Sequence, residues 1–363
     1  MNFWQQLQKP FFALAPMENV TDVAFREIFA LYGKPDVCFT EFVNVDGLAH
    51  PEGFERLKID LQYTEKQRPV VAQIWGRDPE KFYKAAGIVA SLGFDGVDIN
   101  MGCPQDREIS QKTCAALIRE PDLAGEIILA TKEGAPKLPV SVKTRLGYTK
   151  TEEMEGWITH LLKFPIAALT LHARTKQEKS AVPAHWEKIK EAVEIRNHLQ
   201  PDIIARSASD EAIRSSDRPG QNEGSMDRLP RPSVALGARN DRTLIIGNGD
   251  IKSRQEGLDR MKETGCDGVM VGRGAFGNPW LFRADNYQPS PEEKLRVMLE
   301  HAEMFGSLLA NKKSFVTMRK NFKAYASGFE GAAELRAKLM ETKDLTETKK
   351  ITKKYLGDIN GNL

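Results

Sequence analysis

From Phe11 to about Phe282 the sequence alternates short β-branched or apolar runs with helical patterns. We predict eight strands in this stretch, at Phe11–Pro16, Val37–Val43, Pro69–Trp75, Gly96–Met101, Pro139–Leu146, Ala167–Ala173, Thr243–Gly247 and Asp267–Gly272. Regular strand-then-helix alternation implies parallel strands joined by right-handed crossovers. Eight such units favour an α/β fold of the closed (β/α)8 TIM-barrel type. On alternation alone, an open doubly wound sheet remains the alternative.

Helical patterns fill the connections between these strands. They predict helices at Asp22–Leu31, Pro79–Leu92, Lys112–Ile118, Pro121–Lys132, Glu152–Leu162, Ala184–Arg196 and Ser253–Thr264, with a short helix from Phe276. Residues 201–241 differ, because they are rich in Ser, Arg, Asp, Gly and Pro and poor in large apolar side chains. Such a segment buries too little surface to offset the entropy of ordering. We predict a flexible insertion there, on the barrel face opposite the active site.

The pattern becomes continuously helical after Gln288. We predict helices at Glu292–Leu309, Ser314–Ala326, Ala332–Met340 and Leu345–Tyr355, which suit a small all-α bundle. A barrel needs only about 250 residues, so a second domain is expected in a chain of 363. The predicted boundaries are 1–287 for the barrel and 288–363 for the helical domain.

Composition excludes several classes of protein. No apolar run approaches the roughly 18 residues that span a bilayer, and the N-terminus lacks a secretory pattern, so we expect a cytoplasmic protein with no membrane association. Four scattered cysteines without CxxC spacing argue against a zinc site or a disulfide framework. No feature indicates a protein partner. The net charge is only +2, but residues 312–338 carry seven basic and two acidic side chains, a bias that could meet a phosphate backbone.

Polar residues stand at the carboxyl end of nearly every predicted strand. In chain order they are Pro16-Met17-Glu18, Glu41, Gln73, Asn100, Lys143, His172, Asn248-Gly249-Asp250 and Gly272-Arg273. A barrel gathers these strand ends around one mouth, where barrel active sites lie. Each residue alone has a structural explanation, such as a loop cap for Gln73 or a satisfied core histidine for His172. Their repetition from strand to strand favours one shared site.

The last two of these strand ends suggest a phosphate-binding site. Gly247-Asn248-Gly249-Asp250 is predicted to open a helix at Ile251, and Gly272-Arg273-Gly274 to precede the short helix at Phe276. Glycines let backbone N–H groups approach an anion, and a helix N-terminus adds positive potential. The loops after strands seven and eight are the usual phosphate site of barrels. We therefore predict a phosphorylated cofactor.

Several motifs resemble those of the tRNA-dihydrouridine synthase family over the whole chain except 201–241. The most specific is Asp98-Ile99-Asn100-Met101-Gly102-Cys103-Pro104, continued by Ala115-Ala116-Leu117-Ile118. Others are Ala15-Pro16-Met17-Glu18-Asn19-Val20-Thr21-Asp22, Val142-Lys143-Thr144-Arg145-Leu146-Gly147, Leu171-His172-Ala173-Arg174-Thr175, Asn278-Pro279-Trp280 and Met318-Arg319-Lys320 with Gly328-Phe329. Two departures stand out: Gln105-Asp106-Arg107 follows Pro104, and Cys114 occupies a position where the family usually has glycine.

The resemblance implies a tRNA-dihydrouridine synthase, in which FMN, reduced by NADPH or NADH, passes a hydride from N5 to C6 of a D-loop uridine in tRNA. It implies that Cys103 protonates C5, which requires a thiol, so we expect a pKa near the ordinary value of about 8.5. The implied FMN-binding residues are Pro16, Met17, Glu18, Gln73, Lys143, His172, Asn248, Gly249, Asp250, Gly272 and Arg273. The implied substrate-binding residues are Asn100, Arg145 and Arg174.

Two other functions compete with this interpretation. A flavin barrel dehydrogenase acting on a free pyrimidine, similar to dihydroorotate or dihydropyrimidine dehydrogenases, would share the phosphate site but leave the basic C-terminal helices unexplained. A non-catalytic RNA-binding protein on a decayed barrel is disfavoured by the presence of Gln73, Cys103, Lys143 and His172 together.

Overall fold

The computed structural model describes residues 2–200, 242–285, 287–310 and 312–360. Eight parallel strands, hydrogen-bonded in chain order, close into a barrel. The strands are β1 (Phe11–Leu14), β2 (Val37–Asn44), β3 (Val70–Trp75), β4 (Gly96–Met101), β5 (Val140–Arg145), β6 (Ala168–His172), β7 (Leu244–Asn248) and β8 (Gly268–Val271). Because β1 pairs with β8, the predicted (β/α)8 barrel is confirmed and the open sheet is excluded. The insertion predicted over 201–241 lies outside the described residues.

Helices surround the barrel between the strands. They are α1 (Phe3–Gln6), α2 (Val23–Tyr32), α3 (Val45–Leu48), α4 (Pro51–Leu57), α5 (Pro79–Ser91), α6 (Asp106–Ser110), α7 (Pro121–Gly134), α8 (Met154–Leu161), α9 (Trp186–Leu199) and α10 (Arg254–Thr264). The short helices α1, α3, α4 and α6 were not predicted. The helix predicted over Lys112–Ile118 is a 3-10 helix at Cys114–Arg119.

Two predicted helix starts beside the mouth are wrong. The helix predicted over Ser253–Thr264 is observed, but it begins at Arg254 and not directly after the glycine motif at Ile251; the Ser253 side chain accepts a hydrogen bond from the N–H of Glu256 at 3.1 Å and caps it. No helix begins at Phe276; a 3-10 turn occupies Arg273–Ala275 instead. Gly277 has a positive φ of 63°, and Pro279 disfavours helical backbone at the residue before it.

The amino-terminal end of the barrel is closed by α1. Its Trp4 is 1% exposed and packs against Phe11 and Phe39, with ring centroids 6.0 and 6.3 Å apart. These side chains belong to the inner barrel core, whereas alternate strand residues face the surrounding helices. Apolar side chains therefore fill the amino-terminal end of the barrel. The polar residues lie at the opposite mouth, at the carboxyl ends of the strands, where the active sites of such barrels are found.

The C-terminal region is helical as predicted, with α11 (Pro291–Leu309), α12 (Arg319–Tyr325), α13 (Ala332–Leu339) and α14 (Leu345–Asn360). These helices share an apolar core with α2 of the barrel and with Trp280. The division into two domains at residue 288 stays a prediction. Across the described residues, none of the helices combines the length and the apolar character that crossing a bilayer requires.

His301 of α11 lies inside this shared core. It is 1% exposed and packs against the rings of Phe25 and Tyr325, with centroids 5.6 and 6.1 Å away. Among the described residues, neither ring nitrogen has a hydrogen-bond partner. Burial therefore lowers the pKa of His301 to about 3 and keeps the imidazole neutral.

We expect His301 to make the protein less stable in mild acid. In the unfolded chain the imidazole takes up a proton below about pH 6.5, whereas in the folded chain it does not until about pH 3. The unfolded state thus binds more protons in this window, and the free energy of unfolding falls by roughly 2 kcal/mol between pH 8 and pH 5. Urea unfolding of wild type and His301→Leu at pH 8 and pH 5 measures this fall in the free energy of unfolding. The variant has no imidazole at position 301 and should lack the part of the fall that His301 causes. A pH-independent difference between the two proteins would contradict the buried neutral imidazole.

Candidate active site

Strand register places several predicted site residues side by side at the barrel mouth. Asn100 of β4 pairs with Lys143 of β5. Arg145 of β5 pairs with His172 of β6, which in turn pairs with Asn248 of β7. Neighbouring strands are about 4.8 Å apart, so each set lies side by side, with Arg145, His172 and Asn248 one level nearer the carboxyl ends of the strands than Asn100 and Lys143. The convergence expected from the sequence is therefore observed.

A cavity of about 810 Å³ opens above these residues. That volume lies in the range of ligand pockets, roughly 300–1,000 Å³. Its walls include ten predicted site residues, namely Pro16, Met17, Lys143, Arg145, His172, Asn248, Gly249, Asp250, Gly272 and Arg273. Five others do not line it: Glu18, Gln73, Asn100, Cys103 and Arg174. Glu18 instead faces Arg107, whose Nη1 is 3.8 Å from its Oε1.

A buried hydrogen-bond network lies beside the cavity. Asn100 donates to Gln73 at 3.0 Å, and Gln73 donates to Asp98 at 2.7 Å. The Asn100 carbonyl oxygen accepts from the backbone N–H groups of Gly102 and Cys103, both at 3.0 Å, and so shapes the loop that carries the cysteine. Burial raises the pKa of Asp98 to about 6. Sequence reasoning missed Asp98, although its period-two spacing from Asn100 puts both on one face of β4.

Cys103 begins the loop after β4, and the next residues, Pro104 and Gln105, line the cavity. Its Sγ is 3.8 Å from Oε2 of Glu108, a buried carboxylate that sequence reasoning also missed. A hydrogen bond with the Cys114 thiol lowers the pKa of Cys103, and burial opposes this effect. The expectation of an ordinary thiol pKa was therefore wrong, because the Cys114 thiol favours ionisation of Cys103.

We expect Cys114→Ala to raise the pKa of Cys103. The alanine cannot donate to the Cys103 sulfur, so the thiolate loses its largest stabilising contact. The pH dependence of alkylation of Cys103 by iodoacetamide reports this pKa. Cys38→Ala is a control, since Cys38 is buried in the barrel wall. An unchanged alkylation profile in Cys114→Ala would show that the two thiols do not interact.

A cluster of charges borders the cavity near β6 and β7. Arg174 forms an ion pair with Asp250, and Arg273 approaches the other Asp250 oxygen at 3.1 Å. Arg174 Nη1 also lies 3.2 Å from His172 Nε2. Because guanidinium only donates, we assign Nε2 as the acceptor and Nδ1 as the protonated nitrogen of His172. Burial, together with Arg145, Lys143 and the neighbouring arginines, lowers the pKa of His172 well below its usual value, so the imidazole is neutral.

Lys143 and Arg145 add positive charge on the β5 side. Arg145 is 6% exposed, and among the residues that the structure describes its acceptors are backbone carbonyls, at 2.7 Å for Gly102 and 3.0 Å for Thr175 and Lys179. None of these acceptors carries a charge that would neutralise it. Burial and the nearby Arg145 lower the pKa of Lys143 to about 8. A buried cation with a lowered pKa favours an anionic ligand.

The residues present fit a phosphorylated cofactor. Five cationic residues line the cavity (Lys143, Arg145, Lys179, Lys252 and Arg273), Arg174 lies beside it, and among the described lining residues Asp250 is the one that carries a carboxylate. Gly249 has a φ of +137°, which only glycine adopts readily, and a Cβ there would lie 2.9 Å from Ala184. Since α10 begins only at Arg254, these side chains and the glycine loop, rather than a helix N-terminus, would hold the anion.

Comparison with known proteins identifies the family. A family model described as Dihydrouridine synthase (Dus) matches residues 13–204 and 235–360. "Probable tRNA-dihydrouridine synthase 2" of Bacillus subtilis (strain 168) is 39% identical over 363 residues, 99% of each chain. "Probable tRNA-dihydrouridine synthase" of Staphylococcus aureus (strain COL) is 37% identical over 355 residues, 98% of this chain and 95% of the relative. Among solved structures, histamine dehydrogenase from Rhizobium sp. 4-9 has a TM-score of 0.49 at 12% identity, covering 81% of this chain and 48% of that one, which is too weak to bear on function.

The family model covers most of the chain, and both relatives align over nearly their full length, so the resemblance read from the sequence motifs is confirmed. The chain belongs to the dihydrouridine synthase family of flavin-dependent oxidoreductases.

Proposed function

We propose that this chain reduces the C5–C6 double bond of a D-loop uridine in tRNA, with FMN as its cofactor and NADPH as the electron donor. The observation that carries the proposal is the cation-lined cavity with the Cys103 loop at its edge. Membership of the dihydrouridine synthase family supports the same reaction.

The cavity residues would bind FMN at its two ends. Asn248, Gly249, Asp250, Gly272 and Arg273 would hold the phosphate, because their loops form one wall of the cavity. Lys143, Gln73 and the Nδ1–H of His172 would hold the pyrimidine edge of the flavin. Pro16, Met17 and Glu18 would provide backbone contacts. When bound, FMN supplies the hydride, which its N5 passes to C6 of the uracil.

Cys103 would donate the proton to uracil C5. Its loop is held in place by Asn100, whose carbonyl oxygen accepts two backbone N–H groups, and by Arg145, which donates to the carbonyl of Gly102. The carboxylate of Glu108, 3.8 Å from the sulfur, opposes ionisation of the thiol, whereas Cys114 favours it. We propose that Cys103 keeps its proton between turnovers and that Glu108 limits the lowering of its pKa by Cys114. Asn100, Arg145 and Arg174 remain the candidates for orienting the uridine.

The helical C-terminal region would bind the tRNA. A uridine within folded tRNA must leave its stack to reach the cavity, at a cost of a few kcal/mol. Backbone contacts that offset this cost come from cationic side chains and weaken with salt. Exposed candidates are Lys312, Lys320, Lys323 and Lys338. Two other basic residues of this region make contacts within the protein. Lys313 pairs with Glu41, and Arg319 donates to the backbone carbonyls of Glu341 and Thr342.

Incubation of the purified full-length chain with FMN, NADPH and unmodified tRNA tests the proposal. Mass mapping of nuclease fragments should show a gain of two hydrogens at a D-loop uridine. Parallel reactions with NADH define the donor, and reactions with free uridine, uracil or orotate test the free-pyrimidine alternative. Reduction of the free pyrimidines but not of tRNA would replace the proposed function with that alternative.

A further inference from the structure

Glu41 is the one strand-end residue from the sequence analysis that the proposed reaction does not use. It lies in β2, where the register with β3 shifts, and its side chain is only 4% exposed. One carboxylate oxygen accepts a hydrogen bond from the backbone N–H of Asn19, and the other accepts from Nζ of Lys313. Glu41 therefore joins the loop after β1 to the C-terminal region.

Lys313 reaches this carboxylate from the segment just after α11. Its backbone N–H donates to the carbonyl of Leu309, the last residue of that helix, at 3.0 Å. The side chain is 12% exposed, and Nζ is also 2.6 Å from Oδ1 of Asp60. One ammonium thus lies between two carboxylates of the barrel unit. A buried pair of this kind tolerates the loss of one partner poorly, because the other charge is left uncompensated.

The loop that Glu41 holds forms part of the cavity wall. Asn19 has a positive φ of 55°, and the turn around it is closed by backbone hydrogen bonds from Val20 and Thr21 to the carbonyl of Met17. Pro16 and Met17 of the same loop line the cavity. A displacement of the Asn19 backbone would therefore move the wall against which the flavin is proposed to lie.

We propose that Lys313 is a positioning residue by which the C-terminal helices hold in place the loop after β1, which would contact the flavin. The Lys313 ammonium neutralises the charge of the Glu41 carboxylate, and Glu41 in turn fixes the backbone of Asn19. The inference rests on the proposed flavin site. Without Lys313, the carboxylate of Glu41 would face the like charges of Asp60 and Asp22 in a buried position. Burial already raises the pKa of Glu41 to about 7 despite the attraction of Lys313. This charge is relieved by movement of the Glu41 side chain, and with it the loop, or by uptake of a proton, which turns the oxygen that accepted from Lys313 into a buried donor without its former partner.

Flavin affinity of the full-length protein tests the coupling. FMN-loaded protein is diluted, release is followed by flavin fluorescence, and melting temperature is recorded in parallel. In Lys313→Met we expect the Kd for FMN to rise about tenfold, within the usual range of coupling between sites. The double variant Glu41→Gln/Lys313→Met should bind FMN within about threefold of wild type, because the neutral amide still accepts from Asn19 and removes the buried charge at position 41, while Asp60 is partly exposed to solvent.

Tyr32→Phe is the matched control. Its hydroxyl donates to Glu300 of α11, so the variant also loses a contact between the C-terminal helices and the barrel, but it does not touch the loop. We expect a lower melting temperature with unchanged FMN affinity. A comparable loss of affinity in Tyr32→Phe, an unchanged Kd in Lys313→Met, or a double variant that binds weakly would each overturn the inference. The double-variant result stands even if Lys313→Met yields no folded protein. Absence of FMN binding by the wild type would instead overturn the proposed function.

Discussion

Cys103→Ala should retain bound FMN but form dihydrouridine about 10²–10⁴-fold more slowly, the usual loss when a general acid is removed. Alanine keeps the backbone N–H that donates to Asn100, so the loop keeps its shape. Cys103 does not line the cavity that would hold FMN, which explains why binding is expected to survive. Reduction of the flavin by NADPH should be unaffected, because that half-reaction needs no proton at uracil C5. Rapid-mixing measurements of each half-reaction separate the two effects.

Cys266→Ala is the control for this variant. Cys266 is buried and its sulfur contacts the carbonyl of Gly268, so the substitution removes a thiol of similar size outside the mouth. We expect unchanged rates in both half-reactions. Loss of bound flavin from Cys103→Ala would mean that the cysteine has a structural role, and full activity would assign the proton to another group.

Lys143→Met should slow flavin reduction by NADPH about 10²–10³-fold. This is the typical loss when an enzyme loses one fixed group that stabilises the charge developing in the reaction. Lys143 pairs with Asn100 in the barrel register and lines the cavity together with Arg145. Reduced flavin carries negative charge, which this cation would stabilise. Methionine keeps the length and the apolar contacts of the side chain but removes the charge. Stopped-flow absorbance of the flavin measures the rate.

The pH dependence gives a second test of Lys143. Its pKa is lowered to about 8, so the ammonium is present below that pH and is lost as the pH rises through it. An anionic cofactor raises this pKa, and the wild-type rate should therefore fall only at or above about pH 8. Lys143→Met should lack this decline. Lys252→Met, a second lysine of the cavity wall, should keep the wild-type profile. Identical profiles for Lys143→Met and wild type would remove Lys143 from the reaction.

Much of the architecture could be predicted from local patterns. Each strand of the barrel is an apolar run between turn residues, and eight such units in succession favour a closed barrel. The polar mouth could also be predicted from local patterns, because the polar residues Asn100, Lys143 and His172 stand near the carboxyl ends of successive strands. The range Ser253–Thr264 was also predicted correctly, but helix starts directly at Ile251 and at Phe276 were wrong, because the Ser253 cap and the local turn geometry outweigh the glycine pattern.

The sequence by itself therefore determined the alternation of strands and helices, the polar strand ends and the family, because these depend on periodicity and on contiguous motifs, whereas the pairing of β1 with β8 decided closure. Only the tertiary structure decided which side chains meet at that mouth. Cys103 acquires Cys114 and Glu108 as neighbours through the fold of its loop. Glu41 meets Lys313 across 272 positions of the chain. Such contacts depend on how the loops and the C-terminal helices pack in space, and burial then sets the charge and pKa of each group.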